Sequence, residues 1–194
     1  MPFRCSAFAL AVPAAMVAVL ATGCSSTQGG GDADVGVASQ FLGRADAIAA
    51  ARMQPVAGSP VEGKVSFSQF GSVTVVRARF FGLQGSREYG LHVHEKGDCS
   101  GDDGAAAGGH FDPGGAPHGR PGRGAHHAGD LLNLRTDGEG NAFYVFETSA
   151  LSITGGRTSV LNRSVILTRG PDDYRTQPDG NSGPPLACGI VHPN

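Results

Sequence analysis

The sequence predicts an all-β protein, an antiparallel sandwich or barrel of short strands. Three observations predict it. Successive short segments alternate apolar and polar residues with a period of two, the pattern of a half-buried strand. Glycine (31 residues) and proline (12) punctuate a chain of 194 residues with no tryptophan, a turn-rich composition. Between two of the alternating segments lies Thr136-Asp137-Gly138-Glu139-Gly140, a hairpin-turn sequence.

The chain opens with a segment outside that domain. Met1-Pro2-Phe3-Arg4 carries one positive charge and precedes an apolar run from Ala7 to Leu20. The run is too short and too poorly flanked for a stable membrane span and has the layout of a secretory signal. It ends in Ala21-Thr22-Gly23-Cys24, which resembles a bacterial lipobox with Ala21 at the usual leucine position. Residues 1–23 therefore read as a signal peptide and Cys24 as the lipidated residue. Residues 24–44, rich in Ser, Thr, Gly, Asp and Ala, read as a flexible tether. Residues 45–194 read as one folded domain, long enough for a real core. The expected location is outside the cytoplasm, on a membrane through Cys24, facing the periplasm or cell exterior.

The stretch from Ala45 to Ala51 suits either a helical turn or two, or the approach to a strand near Ala50 to Ala57. From Val61 the alternation is clear. Val61, Gly63, Val65, Phe67 and Gln69 fall on one side, and Glu62, Lys64, Ser66 and Ser68 on the other. Similar strands fit Val73 to Phe81, Tyr89 to Glu95, Leu131 to Arg135, Ala142 to Glu147, Ser164 to Thr168 and Leu186 to Val191. Two long segments, Lys96 to Gly129 and Arg169 to Pro185, interrupt the rhythm. Loops of such length in a compact domain tend to be functional or disordered, and the first contains most of the histidines.

Net charge is −2, which gives no sign of a nucleic-acid partner. Cys5 lies in the leader and Cys24 at the lipobox, so the body contains only Cys99 and Cys188. In an exported chain that pair reads as a disulfide. Closing a loop of about ninety residues stabilises a fold by a few kcal/mol in the chain-entropy model.

The histidine pattern points to metal. His92 and His94 flank Val93, so on a strand both imidazoles leave one face as a two-nitrogen chelate for copper or zinc. His110, His118 and His127 follow, with Asp130 three residues beyond the last. Three imidazoles and a carboxylate make a sensible tetrahedral zinc shell. Their placement in one glycine-rich loop suggests that the metal orders that loop.

These residues sit in segments that resemble the copper/zinc superoxide dismutase family, especially its exported bacterial branch. The resemblance lies in GLHVHEKGDCS (Gly90 to Ser100), AGGHFDP (Ala107 to Pro113), His118-Gly119, HAGDL (His127 to Leu131) and LACGI (Leu186 to Ile190), covering roughly residues 50 to 191. It implies a Greek-key β-sandwich or flattened barrel with long metal-binding and electrostatic-type loops. It implies copper-type ligands at His92, His94 and His110, with His110 bridging to a zinc site completed by His118, His127 and Asp130. Cys99 and Cys188 match the family's disulfide. Asp172 matches the carboxylate that links one imidazole from each metal, here His92 and His118.

The resemblance fails at two positions. The family's last copper ligand lies four residues before the linking Asp, where this chain has Thr168, a poor donor to divalent copper. His126 and His192 are poorly placed to substitute. The family's anion-guiding arginine lies three residues before the second cysteine, where this chain has Pro185, without charge or donor. Arg169 and Arg175 remain as cations of the same loop. These departures imply a zinc-binding, dismutase-like envelope protein with a weakened copper site and weak or lost activity. Its small ligands would be copper ions or superoxide. The alternative is a working dismutase that converts superoxide to oxygen and hydrogen peroxide.

Overall fold

The computed structural model describes residues 44–194. The expected signal peptide, Cys24 and the tether up to residue 43 lie outside the described residues. Nine strands follow in order: β1 (Ala47–Pro55), β2 (Glu62–Phe70), β3 (Val73–Phe81), β4 (Glu88–Tyr89), β5 (Leu91–Val93), β6 (Leu134–Arg135), β7 (Ala142–Thr148), β8 (Ser164–Thr168) and β9 (Pro185–Pro193). The only helical element among the described residues is a 3-10 turn at Ala105–Ala107. Seven strands form one curled antiparallel sheet in the order β5-β8-β9-β1-β2-β3-β7, and β4 pairs with β6.

Alternation builds the core. Val65 and Phe67 of β2 and Val76, Ala78 and Phe80 of β3 all point inward. They meet Leu91 and Val93 of β5, Val165 and Leu167 of β8, and Leu131 and Leu134. Burying each such valine, leucine or phenylalanine side chain contributes about 1.5–3 kcal/mol. The β2–β3 hairpin closes through Gly71 and Ser72, with Gly71 at φ 58°. Buried Gln69 secures this end by accepting from the Thr74 hydroxyl and the Ile153 N–H and donating to the Gly71 carbonyl.

Sequence and structure differ at several boundaries. The alanine-rich start is strand throughout, not helix: Ala49, Ala51 and Met53 are buried at period two, and β2 and β9 flank β1 on either side. The single strand expected over Tyr89 to Glu95 breaks at Gly90 into β4 and β5. There the backbone turns to Gly170 and Thr168, and a Cβ on Gly90 would lie 2.6 Å from the Thr168 hydroxyl. The strand expected from Leu131 begins only at Leu134, because Asp130 and its neighbours are held against β5 and the metal-type histidines.

The first long loop is stitched to β5 at its middle and at its end. Val93 N–H donates to the Gly129 carbonyl, and the Val93 carbonyl accepts from Phe111 N–H. Gly129 is required there, since a Cβ would overlap the Val93 carbonyl. Cys99 and Cys188 form a disulfide with Cα atoms 5.8 Å apart, pinning the start of this loop to β9.

Candidate metal centre

Asp130 gathers three histidines around one oxygen. Its Oδ2 accepts from the backbone N–H groups of Gly119 and His127, which fixes the carboxylate plane. Its Oδ1 lies 2.8 Å from His110 Nδ1, 3.1 Å from His118 Nδ1 and 3.2 Å from His127 Nδ1. All four residues are buried, and their ligand atoms lie within 4.8 Å of one another. A tetrahedral zinc shell with bonds of about 2.0–2.1 Å has edges of roughly 3.3 Å. Burial opposes ionisation of Asp130, but the His110 hydrogen bond and the Gly119 N–H outweigh it and hold the carboxyl well below the usual range.

Asp172 sits on the far side of the cluster. Its Oδ2 lies 2.9 Å from His92 Nε2, and its Oδ1 lies 2.9 Å from His118 Nε2. Burial alone would raise this carboxyl, but hydrogen bonds from His92, the Tyr174 N–H and His118 keep it below its usual range. An ionised carboxylate only accepts, so both imidazoles donate from Nε2 and their Nδ1 atoms carry lone pairs. For His118 that lone pair faces an Asp130 oxygen at 3.1 Å. Two acceptors at that distance call for a cation between them. This mismatch, together with the donor set, fits a divalent ion of the zinc type.

The second group is the pair on β5. His94 Nδ1 donates to the Gly108 carbonyl at 2.9 Å, which leaves Nε2 with the lone pair. His94 Nε2 and His92 Nδ1 are both buried without a hydrogen-bond partner. Burial depresses the His92 imidazole to about 4 and the His94 imidazole to about 3, so both are neutral near pH 7. Buried lone pairs without partners are costly unless something binds them. The His110 ring stacks on His92 with centroids 4.0 Å apart and meets His94 edge-on at 5.1 Å, so it stands between the two groups. Three imidazoles thus converge here.

A cavity of about 490 Å³ opens beside His94, and His94, His110, Thr168 and Pro185 lie in its wall. Thr168 Oγ1 lies 3.2 Å from the Gly90 carbonyl and 3.4 Å from that of Gly170, so its proton is directed to the backbone. Thr168 and Pro185 are register partners across β8 and β9, so two separate-looking sequence departures are one local patch. Neither spare histidine reaches the cavity. His126 turns its Nδ1 to the His127 carbonyl, and exposed His192 lies opposite Ala50 on β9. Arg169 does not serve it either: the alternation that turns Thr168 inward sends Arg169 to a separate hollow beside Arg87 and Tyr89. Arg175 is exposed and outside the lining.

Sequence reasoning missed the supports of Asp172. Asn133 accepts from its N–H and donates to its carbonyl. Gln177 brackets His118 by accepting from its N–H and donating to its carbonyl. A Cβ on Gly180 would overlap Asp172 Oδ1 and lie 2.7 Å from His118 Nε2. The one available signal was Asn133, polar within the apolar run Leu131-Leu132-Asn133-Leu134.

Fold and site together define an all-β protein with a curled antiparallel sheet and a buried histidine–carboxylate cluster that could hold a metal ion. Comparison with known proteins gives the family. The family model described as copper/zinc superoxide dismutase matches residues 61–191. The copper–zinc superoxide dismutase of Deinococcus radiodurans is 38% identical over 143 residues, covering 67% of this chain and 76% of that protein. Copper–zinc superoxide dismutase 2 of Aquifex aeolicus is 32% identical over 135 residues, covering 68% and 79%. The crystal structure of the clock protein EA4 superposes with a TM-score of 0.68 at 31% identity, covering 75% of this chain and 93% of that one. The chain belongs to the copper/zinc superoxide dismutase family, whose name implies copper and zinc as its metals.

Proposed function

We propose that this protein is a zinc-stabilised, exported member of its family in which the copper half is incomplete and dismutation is weak or lost. In this reading His110, His118, His127 and Asp130 hold zinc. His92, His94 and His110 offer copper three nitrogens, and Asp172 orients His92 and His118. Residues 1–23 direct export, Cys24 anchors the chain in the membrane, residues 24–44 are the spacer, and residues 45–194 are the domain.

One observation carries the proposal: a threonine hydroxyl, bonded to backbone carbonyls, lines the cavity beside His94 and His110 where the family pattern requires an imidazole. Copper, when bound, supplies the one-electron chemistry of the family. Without a fourth nitrogen the chain holds that ion weakly, and Pro185 offers superoxide no cation. The zinc group does not depend on the missing residue, so the fold keeps its metal.

The test is metal analysis after loading with copper and zinc, beside a superoxide assay. The expected result is near-stoichiometric zinc, substoichiometric copper and low turnover. Thr168→His raises copper retention, and Thr168→His with Pro185→Arg then raises activity, by tenfold or more on the scale of a restored electrostatic contact. Stoichiometric copper with high activity in the unaltered protein overturns the proposal.

A further inference from the structure

The cavity over His94 and His110, with His92 buried behind them, has four carboxylates in its wall. Glu95, Asp103, Asp112 and Asp179 contribute to its wall, and no lysine or arginine does among the described residues. Glu95 and Asp112 belong to the segments next to the histidines, Asp103 to the first long loop and Asp179 to the second, so several separate segments bring carboxylates to the wall. Asp103, Asp112 and Asp179 each turn Oδ1 to a backbone N–H two residues on, which leaves the other oxygen uncommitted. Lys96 approaches Gly108 outside the lining, and Arg157 and Arg163 share a neighbouring hollow with Glu95 and Asp112, so Asp103 and Asp179 are the carboxylates with no cation beside them in the wall.

Behind these carboxylates stands an independent feature that points to a ligand. His92 is fully buried with Nδ1 unpartnered, and His94, in the cavity wall, has Nε2 unpartnered. Neutral imidazole lone pairs bind metal cations and have nothing to offer an anion. Clefts lined by one sign of charge focus the field and concentrate ions of the opposite sign. A negatively lined mouth therefore opposes the superoxide anion and attracts a metal cation.

We propose that the wall carboxylates Glu95, Asp103, Asp112 and Asp179 form a cation entrance, through which copper ions from solution reach His92 and His94. The ion that this mouth takes is thus the metal itself and not superoxide. The inference rests on the functional reading above and deepens it. A site that gathers copper and holds it on an incomplete nitrogen set is built to take the ion up and give it back.

The test uses the full-length zinc-loaded protein and aqueous Cu²⁺, with uptake followed by stopped-flow absorbance in competition with a chromophoric chelator. Asp103→Asn with Asp179→Asn keeps both Oδ1 acceptors and removes two charges. This variant is expected to lower the second-order uptake rate roughly tenfold and to flatten its salt dependence. Glu62→Gln with Glu139→Gln, the same charge change at exposed positions outside the lining, leaves both unchanged. The unaltered protein's uptake falls as salt rises, a readout that needs no variant. Equal rates in the two variants, or uptake indifferent to salt, overturns the entrance. Low superoxide turnover with indifferent uptake removes the entrance alone. High turnover with uptake still dependent on Asp103 and Asp179 removes the functional reading and keeps the entrance.

Discussion

Asp172 joins the two halves of the centre by accepting from His92 on one side and His118 on the other. A residue with no side chain controls it. Gly180 has φ 69°, a conformation that L side chains rarely adopt, and its Cα faces the Asp172 carboxylate so closely that a methyl group has no room. Gly180→Ala should therefore displace Asp172, free His92 and His118 to rotate, and lower zinc affinity by roughly ten- to a hundredfold, the usual effect of losing an orienting partner. Competition with a chelator of known affinity measures this, and unchanged affinity would show that Asp172 is dispensable to the zinc group. Gln177, which grips the His118 backbone, offers a milder version: Gln177→Ala removes two hydrogen bonds and leaves the carboxylate in place.

At the scale of elements, strands that face one core and pair along their full length were plain in the sequence. β3 and β8 match their expected bounds because each strand alternates or is buried throughout, as Val76, Ala78 and Phe80 or Val165 and Leu167 demand. The break at Gly90 was hidden, since it answers to Thr168 and Gly170, nearly eighty residues away. The histidines could be picked out for a similar reason: a strand fixes the His92–His94 spacing locally, and spacing survives in sequence. The wall carboxylates could not, because Asp103 and Asp179 meet only when two long loops fold over the same opening. Those loops have few apolar anchors of their own, so a metal bound at the histidine cluster would contribute to their order. Zinc at a hundred times its dissociation constant stabilises by about 2.7 kcal/mol. Removing it should lower the melting temperature by about 5–10 °C for a domain of this size. Hydrogen exchange should rise first in residues 110–130 and 169–185, while β2 and β3 stay protected. Uniform exchange across the chain would show that the loops hold without metal.

For the molecule as a whole, the buried imidazoles tie the entire fold to pH. His92 and His94 titrate near 4 and 3 in the folded protein because burial penalises the charged ring, whereas an unfolded histidine titrates near 6.5. Between those values the unfolded chain binds more protons, so stability falls as pH falls. The metal-free protein should hold a level stability above about pH 6.5 and lose it progressively down to about pH 3. Asp130 and Asp172 act in the same direction lower down: their folded values lie below the ordinary carboxylate value of 3.8, so their contribution is present above that pH and lost beneath it. Urea midpoints of the zinc- and copper-free protein at pH 7.5, 6.0 and 5.0 should therefore decline in order. His94→Gln keeps a polar group that can reach the Gly108 carbonyl but cannot take up a proton, so this variant should show a shallower decline. A midpoint unchanged from pH 7.5 to 5.0 would mean that these rings are reached by water and protonate without unfolding the domain. Zinc-loaded protein should fall more steeply over the same range, because His110, His118 and His127 must each give up a lone pair to the metal or to a proton, and never to both.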